Sequence, residues 1–426
     1  MEHAAWLFPL MVVLIILGIP IGFALFIMAE IIFLSWDIPS IVLSHSMYAT
    51  LDSYTLSALP MFVLMAHILF RAGAGEDLFE FANVFMRRIP GGLAIATIVA
   101  CAIFAAISGS SAATALTIGI FAIPAMVKRN YDKRFILGVV GAGGVLGILI
   151  PPSGLMIIYA DITETSIGKL FISGIVPGII LALLLILTVI LLDRFVYHTV
   201  AASTEKASWG EKAVALKKAG PALFMPVIVL GGIYSGIFTA IESASVGTVY
   251  GALISLHRLK AKDWLEILQE TAIYTTVLFW VIKPAVVFSQ GLSMAYIPQQ
   301  MAEWVVAQGM NAVTFLGVMT VFYLFMGCFV DGVAMLMLTV PVILTILETL
   351  NIDLVWYNIV FILNAEMGCI TPPFGVNIFI LMSLMKNTDM EEVIRSVWPF
   401  ILAMLVCLLL VIFFPFLATW LPSKMG

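Results

Sequence analysis

Charge is what this chain has least of. Charged residues make up 11% of its 426 positions, against 62% hydrophobic. No water-soluble core needs that much apolar surface, so a soluble globular fold is excluded. Cysteine is nearly absent too. Cys101, Cys328, Cys369 and Cys407 lie in apolar runs without metal-ligand spacing and read as small buried hydrophobes. HExxH, Walker-A and post-strand GxGxxG patterns are missing, which removes the chemistries those motifs support. No basic stripe marks a nucleic-acid partner. The net charge of −5 says little, because orientation in a membrane follows where Lys and Arg fall. Their placement is informative: between Lys283 and Lys386 there is neither Lys nor Arg.

What is present is apolar length and proline. Runs of mostly apolar residues, each long enough to cross a hydrocarbon core of roughly 30 Å, recur along the whole chain. The reading is an all-α polytopic membrane protein. The run from Trp6 to Phe33 has no cationic n-region and no small-residue cleavage site, and is expected to be a retained first helix. Two distant stretches then share a signature: Gly147-Ile-Leu-Ile-Pro151-Pro152-Ser153 and Gly368-Cys-Ile-Thr-Pro372-Pro373-Phe374. Proline inside a helix removes a backbone hydrogen bond and clashes with the preceding turn. Helices broken at matching positions of two halves are how secondary transporters build ion sites at the membrane midplane.

The expected helices run 6–34 and 54–70, followed by an amphipathic arm at 76–88. A long apolar segment from Gly91 to Val127 is interrupted by Ser108-Gly109-Ser110-Ser111, and both its flanks are basic. With both flanks cytoplasmic it enters, turns at the polar tip and returns; two very short full crossings would also satisfy the charges. A polar tip at membrane depth must line a cavity or be buried in protein. Next come 135–160, broken at Pro151-Pro152, then 170–193, a basic loop over 194–220, and helices at 221–238 and 241–256. A second pair of arms, 312–328 and 332–347, has neutral or acidic flanks, which places its mouth on the opposite side. The second half is thus expected to be the first upside down. A broken helix over 354–385 and a last helix over 396–420 complete the chain. The expected organisation is 1–90 scaffold helices and arm, 91–193 first repeat, 194–300 loop and central scaffold, 301–386 second repeat, and 387–426 C-terminal helix.

Four motifs, Ser108-Gly-Ser-Ser-Ala-Ala-Thr114, Leu149-Ile-Pro-Pro-Ser153, Ser166-Ile-Gly-Lys-Leu-Phe171 and Thr371-Pro-Pro-Phe-Gly375-Val-Asn377, resemble the large membrane subunit of TRAP (tripartite ATP-independent periplasmic) transporters. The resemblance covers essentially the whole chain, with Phe374 a departure where the family favours a smaller or branched residue. It implies an elevator-type fold with an inverted repeat, two re-entrant hairpins and two Pro-broken helices, in the bacterial inner membrane. It also implies a sodium gradient as driving force, a small four-helix membrane subunit and a periplasmic substrate-binding protein as partners, and a small organic anion as substrate.

Sodium favours oxygen ligands, and broken helices free backbone carbonyls. On that reasoning one ion lies between the first tip (Ser108, Ser110) and the first break (Gly147, Ile150, Pro152). A second lies between the second tip (Gly327, Val330) and the second break (Gly368, Thr371, Phe374), with the Thr371 hydroxyl as a side-chain ligand. Two or more ions are expected. Ser110, Ser111, Ser153, Asp331 and Asn377 are the candidate substrate contacts, with Asn364 lining the same cavity. A carboxylate at bilayer depth costs at least ~2.5–3.5 kcal/mol, so Asp331 should face a cavity or a partner. It also suits the N-cap of the arm that follows. Lys283 is read as attracting an anion, pairing with Glu242 or snorkelling, Glu366 as tuning sodium affinity or packing, and His67 as a satisfied scaffold histidine. Trp36, Trp356 and Trp398 read as interfacial anchors.

The site hydroxyls and Asp331 favour a hydroxylated acid, of the sialic acid or sugar-acid class, beside C4-dicarboxylates. A stand-alone sodium-coupled anion permease remains the alternative. A channel would show a continuous polar stripe, and an intramembrane enzyme would need a partner for Asp331; neither is present in the sequence.

Overall fold

The computed structural model describes residues 6–49, 53–198, 207–371, 375–385 and 388–425. Among them every regular element is helical. Among the described residues seven helices are long and apolar enough to cross a membrane, or up to nine if each sharply bent pair is one span.

The single helix expected over 6–34 is two, α1 (Leu7–Ile16) and α2 (Ile21–Ser35). Gly18 lies at φ +80 and Pro20 follows; the glycine takes a left-handed turn and the proline has no N–H to continue the ladder. α3 (Ser40–Ala49) comes next, then α4 (Ala58–Arg71) and the amphipathic arm α5 (Ala74–Met86). The chain bends by 65° between the last two. The first hairpin is α6 (Gly92–Ser108) and α7 (Ser111–Lys128). The first broken helix is α8 (Lys133–Gly144), α9 (Leu146–Leu149) and α10 (Gly154–Thr163). α11 (Ile167–Leu192) then leads out of the first half.

α12 (Trp209–Tyr234) starts well before the expected 221. Pro221 looks like a first-turn proline, but a capping box on Ser208 and Glu211 sets the true start. Residues 209–220 of the expected loop over 194–220 are therefore helix. α13 (Ala240–Ser255) and the 34-residue α14 (Ala261–Met294) follow. α15 (Ile297–Ala307) and α16 (Ala312–Gly327) meet at a 120° bend, and α16 forms the second hairpin with α17 (Gly332–Thr349). The second broken helix is α18 (Leu354–Ile370) and α19 (Val376–Leu384). α20 (Met390–Phe413) and α21 (Phe416–Thr419) close the chain. Arm, hairpin, broken helix and long helix thus occur twice in the same order.

Burial separates core from periphery. In Lys133–Thr163, 89% of the most apolar window is inside the protein, against 28% in Ile167–Tyr197. The first broken helix is therefore central, while α11 turns most of its apolar surface outward, as a lipid-facing helix does. Trp356 is a correction: it is buried, and its indole N–H donates to the Val411 carbonyl at 2.8 Å. It joins α18 to α20 and is not an interfacial anchor. Trp398 is half exposed, as an anchor would be. Tyr323 shares hydrogen bonds with Tyr357 (2.7 Å) and Thr339 (3.0 Å), tying the second hairpin to α18. Arg87–Glu211, Lys218–Glu80 and Arg258–Asp77 ion pairs fix the α5 arm and its end to α12 and the end of α13.

Candidate functional site

The first hairpin turns at Gly109, which ends α6 at φ +60, and Ser110, which starts α7. The serine hydroxyl accepts from the Ala113 amide at 3.4 Å. Thr114 donates from its hydroxyl to the Ser110 carbonyl at 2.8 Å and shares a 2.8 Å bond with the Ser108 hydroxyl. This tip lies directly against the first break. A Cβ added to Gly109 would stand 2.4 Å from the Pro152 carbonyl oxygen, and one added to Gly147 would stand 2.3 Å from that of Ser110. Ile150 and Ser153 are extended, at φ −82, ψ 120 and φ −128, ψ 126, so the helical ladder stops between them.

The second tip mirrors this packing. Gly327 ends α16 beside Gly368 on α18, and a Cβ on either would fall 2.6–2.7 Å from the other's Cα. Val330 lies in the turn, and Asp331 caps α17 by accepting from the Ala334 amide at 2.7 Å. The Thr371 hydroxyl donates to its own helix at Met367 (2.5 Å); its lone pairs stay available to a ligand. Phe374, with Pro372 and Pro373, lies outside the described residues.

A cavity of about 420 Å³ joins the two tips. Ser108, Gly109, Ser110 and Ser111 line it from the first hairpin, and Asp331, Gly332 and Val333 from the second. Pro152 and Gly154 contribute from the first broken helix, Cys369, Val376 and Asn377 from the second. Asn377 reaches across the halves: its amide donates to the Ser111 hydroxyl at 2.9 Å. Asp331 is thus both a helix cap and a cavity wall.

Several expected members sit elsewhere. Ser153 is fully buried behind Pro152, does not line the cavity, and its hydroxyl has no partner. Asn364 turns to α16 and its own helix, donating to Thr320 (3.5 Å) and Val360 (2.8 Å), so it is not a wall residue. Lys283 does not line the cavity, and Glu242 closes the capping box of α13 with the Thr239 amide at 2.8 Å; no ion pair joins the two. His67 pairs with Thr271 at 3.0 Å and also faces the cavity, beside Glu270 and Tyr274. Sequence reasoning missed Thr114, Gly109's close approach and this wall. The Ser-Gly-Ser turn carries a signal for the glycine, since helices commonly end on a left-handed Gly.

The family model for the tripartite ATP-independent periplasmic transporter, DctM component, matches residues 8–417. The chain belongs to that family. It is a transporter component, not an enzyme, and a multi-pass membrane protein. It is 37% identical over 396 residues to a C4-dicarboxylate TRAP transporter large permease of Pseudomonas aeruginosa, with 90% of each chain covered. It is 31% identical to a sialic acid TRAP transporter large permease of Vibrio cholerae, with 96% of each covered. Among solved structures, the Alcanivorax borkumensis YdaH transporter has a similar fold. It superposes with a TM-score of 0.60 at 14% identity, covering 92% of this chain and 89% of that one.

Proposed function

We propose that this TRAP component imports a small organic acid anion, together with two or more sodium ions, across the bacterial inner membrane. It receives the acid from a periplasmic binding protein and works with a small four-helix membrane subunit. The observation that carries this reading is the cavity between the tips. The first residues of α7, α10, α17 and α19 (Ser111, Gly154, Gly332, Val376) all line it, and no Lys or Arg does among the described residues. Helix N-termini favour anions through their partial positive charge, so the substrate carboxylate is met by backbone dipoles and bound cations. The Ser110 hydroxyl and the Asp331 carboxylate address its polar groups, with Ser111 and Asn377 in the wall beside them, which suits a C4-dicarboxylate or a sugar acid.

The sodium sites lie where each tip meets its break: Ser108 and Ser110 with Gly147, Ile150 and Pro152, and Gly327 and Val330 with Gly368, Thr371 and Phe374. The close glycine approaches support this, because they bring each hairpin tip against the helix end at its break. Sodium orders both units and so completes the cavity, which makes the two ligands cooperative. The halves act as inverted repeats, and the hairpins and broken helices move as one body, elevator-fashion, against a scaffold of the N-terminal helices and α12–α14.

The test is uptake of labelled C4-dicarboxylates and sugar acids into proteoliposomes holding this chain and its small partner. An inward sodium gradient and the binding protein are varied separately. Uptake that needs both is expected. Uptake without the binding protein would replace the tripartite reading by a stand-alone permease, and uptake indifferent to sodium would overturn the coupling.

A further inference from the structure

Glu366 lies on α18, two residues before the Gly368 contact. It is fully buried, and neither carboxylate oxygen has a hydrogen bond of good geometry. The Ser111 hydroxyl and the Ile148 amide are its nearest donors, so the end of α18 reaches the first tip and the first break. A second orphan acceptor stands at the same place. Asn377 is fully buried; its Nδ2 donates to Ser111, and its Oδ1 has no partner. Ser111 is therefore shared by a carboxylate and an amide that come from the two arms of the other half's broken helix.

A carboxylate buried with only loosely placed donors is strongly disfavoured in its ionised form. Acceptor oxygens without donors are costly as well. Three such acceptor oxygens (both of Glu366, one of Asn377) belong to side chains that meet at Ser111. A cation held by oxygen ligands serves all three and neutralises the charge. We infer that Glu366, Asn377 Oδ1 and the Ser111 hydroxyl form a further sodium site, distinct from the two tip–break sites. A cation is what would let Glu366 stay ionised at this depth; its being sodium rests on the coupling proposed above. Because the ligands come from both halves, this ion locks the first hairpin to the second broken helix and makes binding at either tip–break site sensitive to the other.

The test is sodium-dependent thermal stabilisation of the purified full chain, without substrate, at constant ionic strength with potassium as the balancing ion. Glu366→Gln keeps the shape and removes the charge. It is expected to raise the sodium midpoint by about tenfold or more and to lower the slope of stabilisation against log sodium by about one ion. Glu366→Asp should recover part of the response. An unchanged midpoint and slope in Glu366→Gln would overturn this site alone. Wild-type protein without any sodium response would overturn the coupling and this site together. If Glu366→Gln does not fold, Ser111→Ala and Asn377→Ala carry the test, since each leaves the carboxylate and removes one neutral ligand. Wild-type sodium midpoints in both would overturn the assignment.

Discussion

Gly327 and Gly368 meet back to back, each so close that a Cβ on one would lie under 3 Å from the other's Cα. That contact brings the end of the second hairpin's first arm to the last turn before the second break. It is a backbone-to-backbone approach, and no rotamer change can relieve it. Gly147 against the Ser110 carbonyl plays the same part in the first half. Two glycines of the repeated Pro-Pro signature therefore serve one purpose: they let a hairpin tip reach a helix break.

Gly368→Ala is accordingly expected to separate tip and break. Overpacking a tight core costs typically ~1–3 kcal/mol, and here it falls on the second tip–break contact. Thermal unfolding should shift down by that amount, and sodium-driven uptake should be largely lost. Wild-type uptake in a folded Gly368→Ala protein would show that the close approach is not needed for transport.

Asp331 offers a cleaner separation of roles. Asn is as good an N-cap as Asp, whereas Ala at such a position costs typically ~1 kcal/mol. Asp331→Asn should therefore unfold like the wild type yet lose about tenfold or more of its uptake, as when a hydrogen bond to a charged group is removed. Asp331→Ala should lose both. Equal uptake in wild type and Asp331→Asn, read in the same proteoliposomes, would reduce Asp331 to a cap.

The hairpins and breaks were legible in the sequence because their ends carry local chemistry. Ser108-Gly-Ser-Ser and Asp331-Gly332 are cap and turn residues, and Pro-Pro stops a helix wherever it stands. The division of the first helix at Gly18 and the capping-box start at Ser208 obey equally local rules, but stronger-looking signals, a continuous apolar run and Pro221, covered them. Orientation was the harder part. α18 is apolar nearly all round, so no polar stripe tells which way each side chain points. Asn364 and Asn377 look alike around the second break, yet one turns to α16 and the other crosses to Ser111. Trp356 sits at the end of a run as an anchor would, yet packs inward. Glu366 could be placed beside the break from sequence; that it meets Ser111 of the other half is visible only in three dimensions.

A comparison of two glycines tests whether contact or conformation matters at the first tip. Gly73 and Gly109 both have left-handed backbone, at φ +82 and +60. A Cβ on Gly73 would meet nothing within 4 Å, whereas one on Gly109 would collide with the Pro152 carbonyl at 2.4 Å. Alanine in the left-handed region costs roughly 1–2 kcal/mol wherever it is placed. Gly73→Ala should show that loss in thermal unfolding and keep its uptake. Gly109→Ala carries the same strain plus a backbone clash, so the tip must withdraw from the break. Its uptake should fall to background, with a raised sodium requirement for any residual activity. Equal uptake in the two variants would mean that the first tip tolerates displacement from Pro152, and would remove the first tip–break junction from the ion pathway.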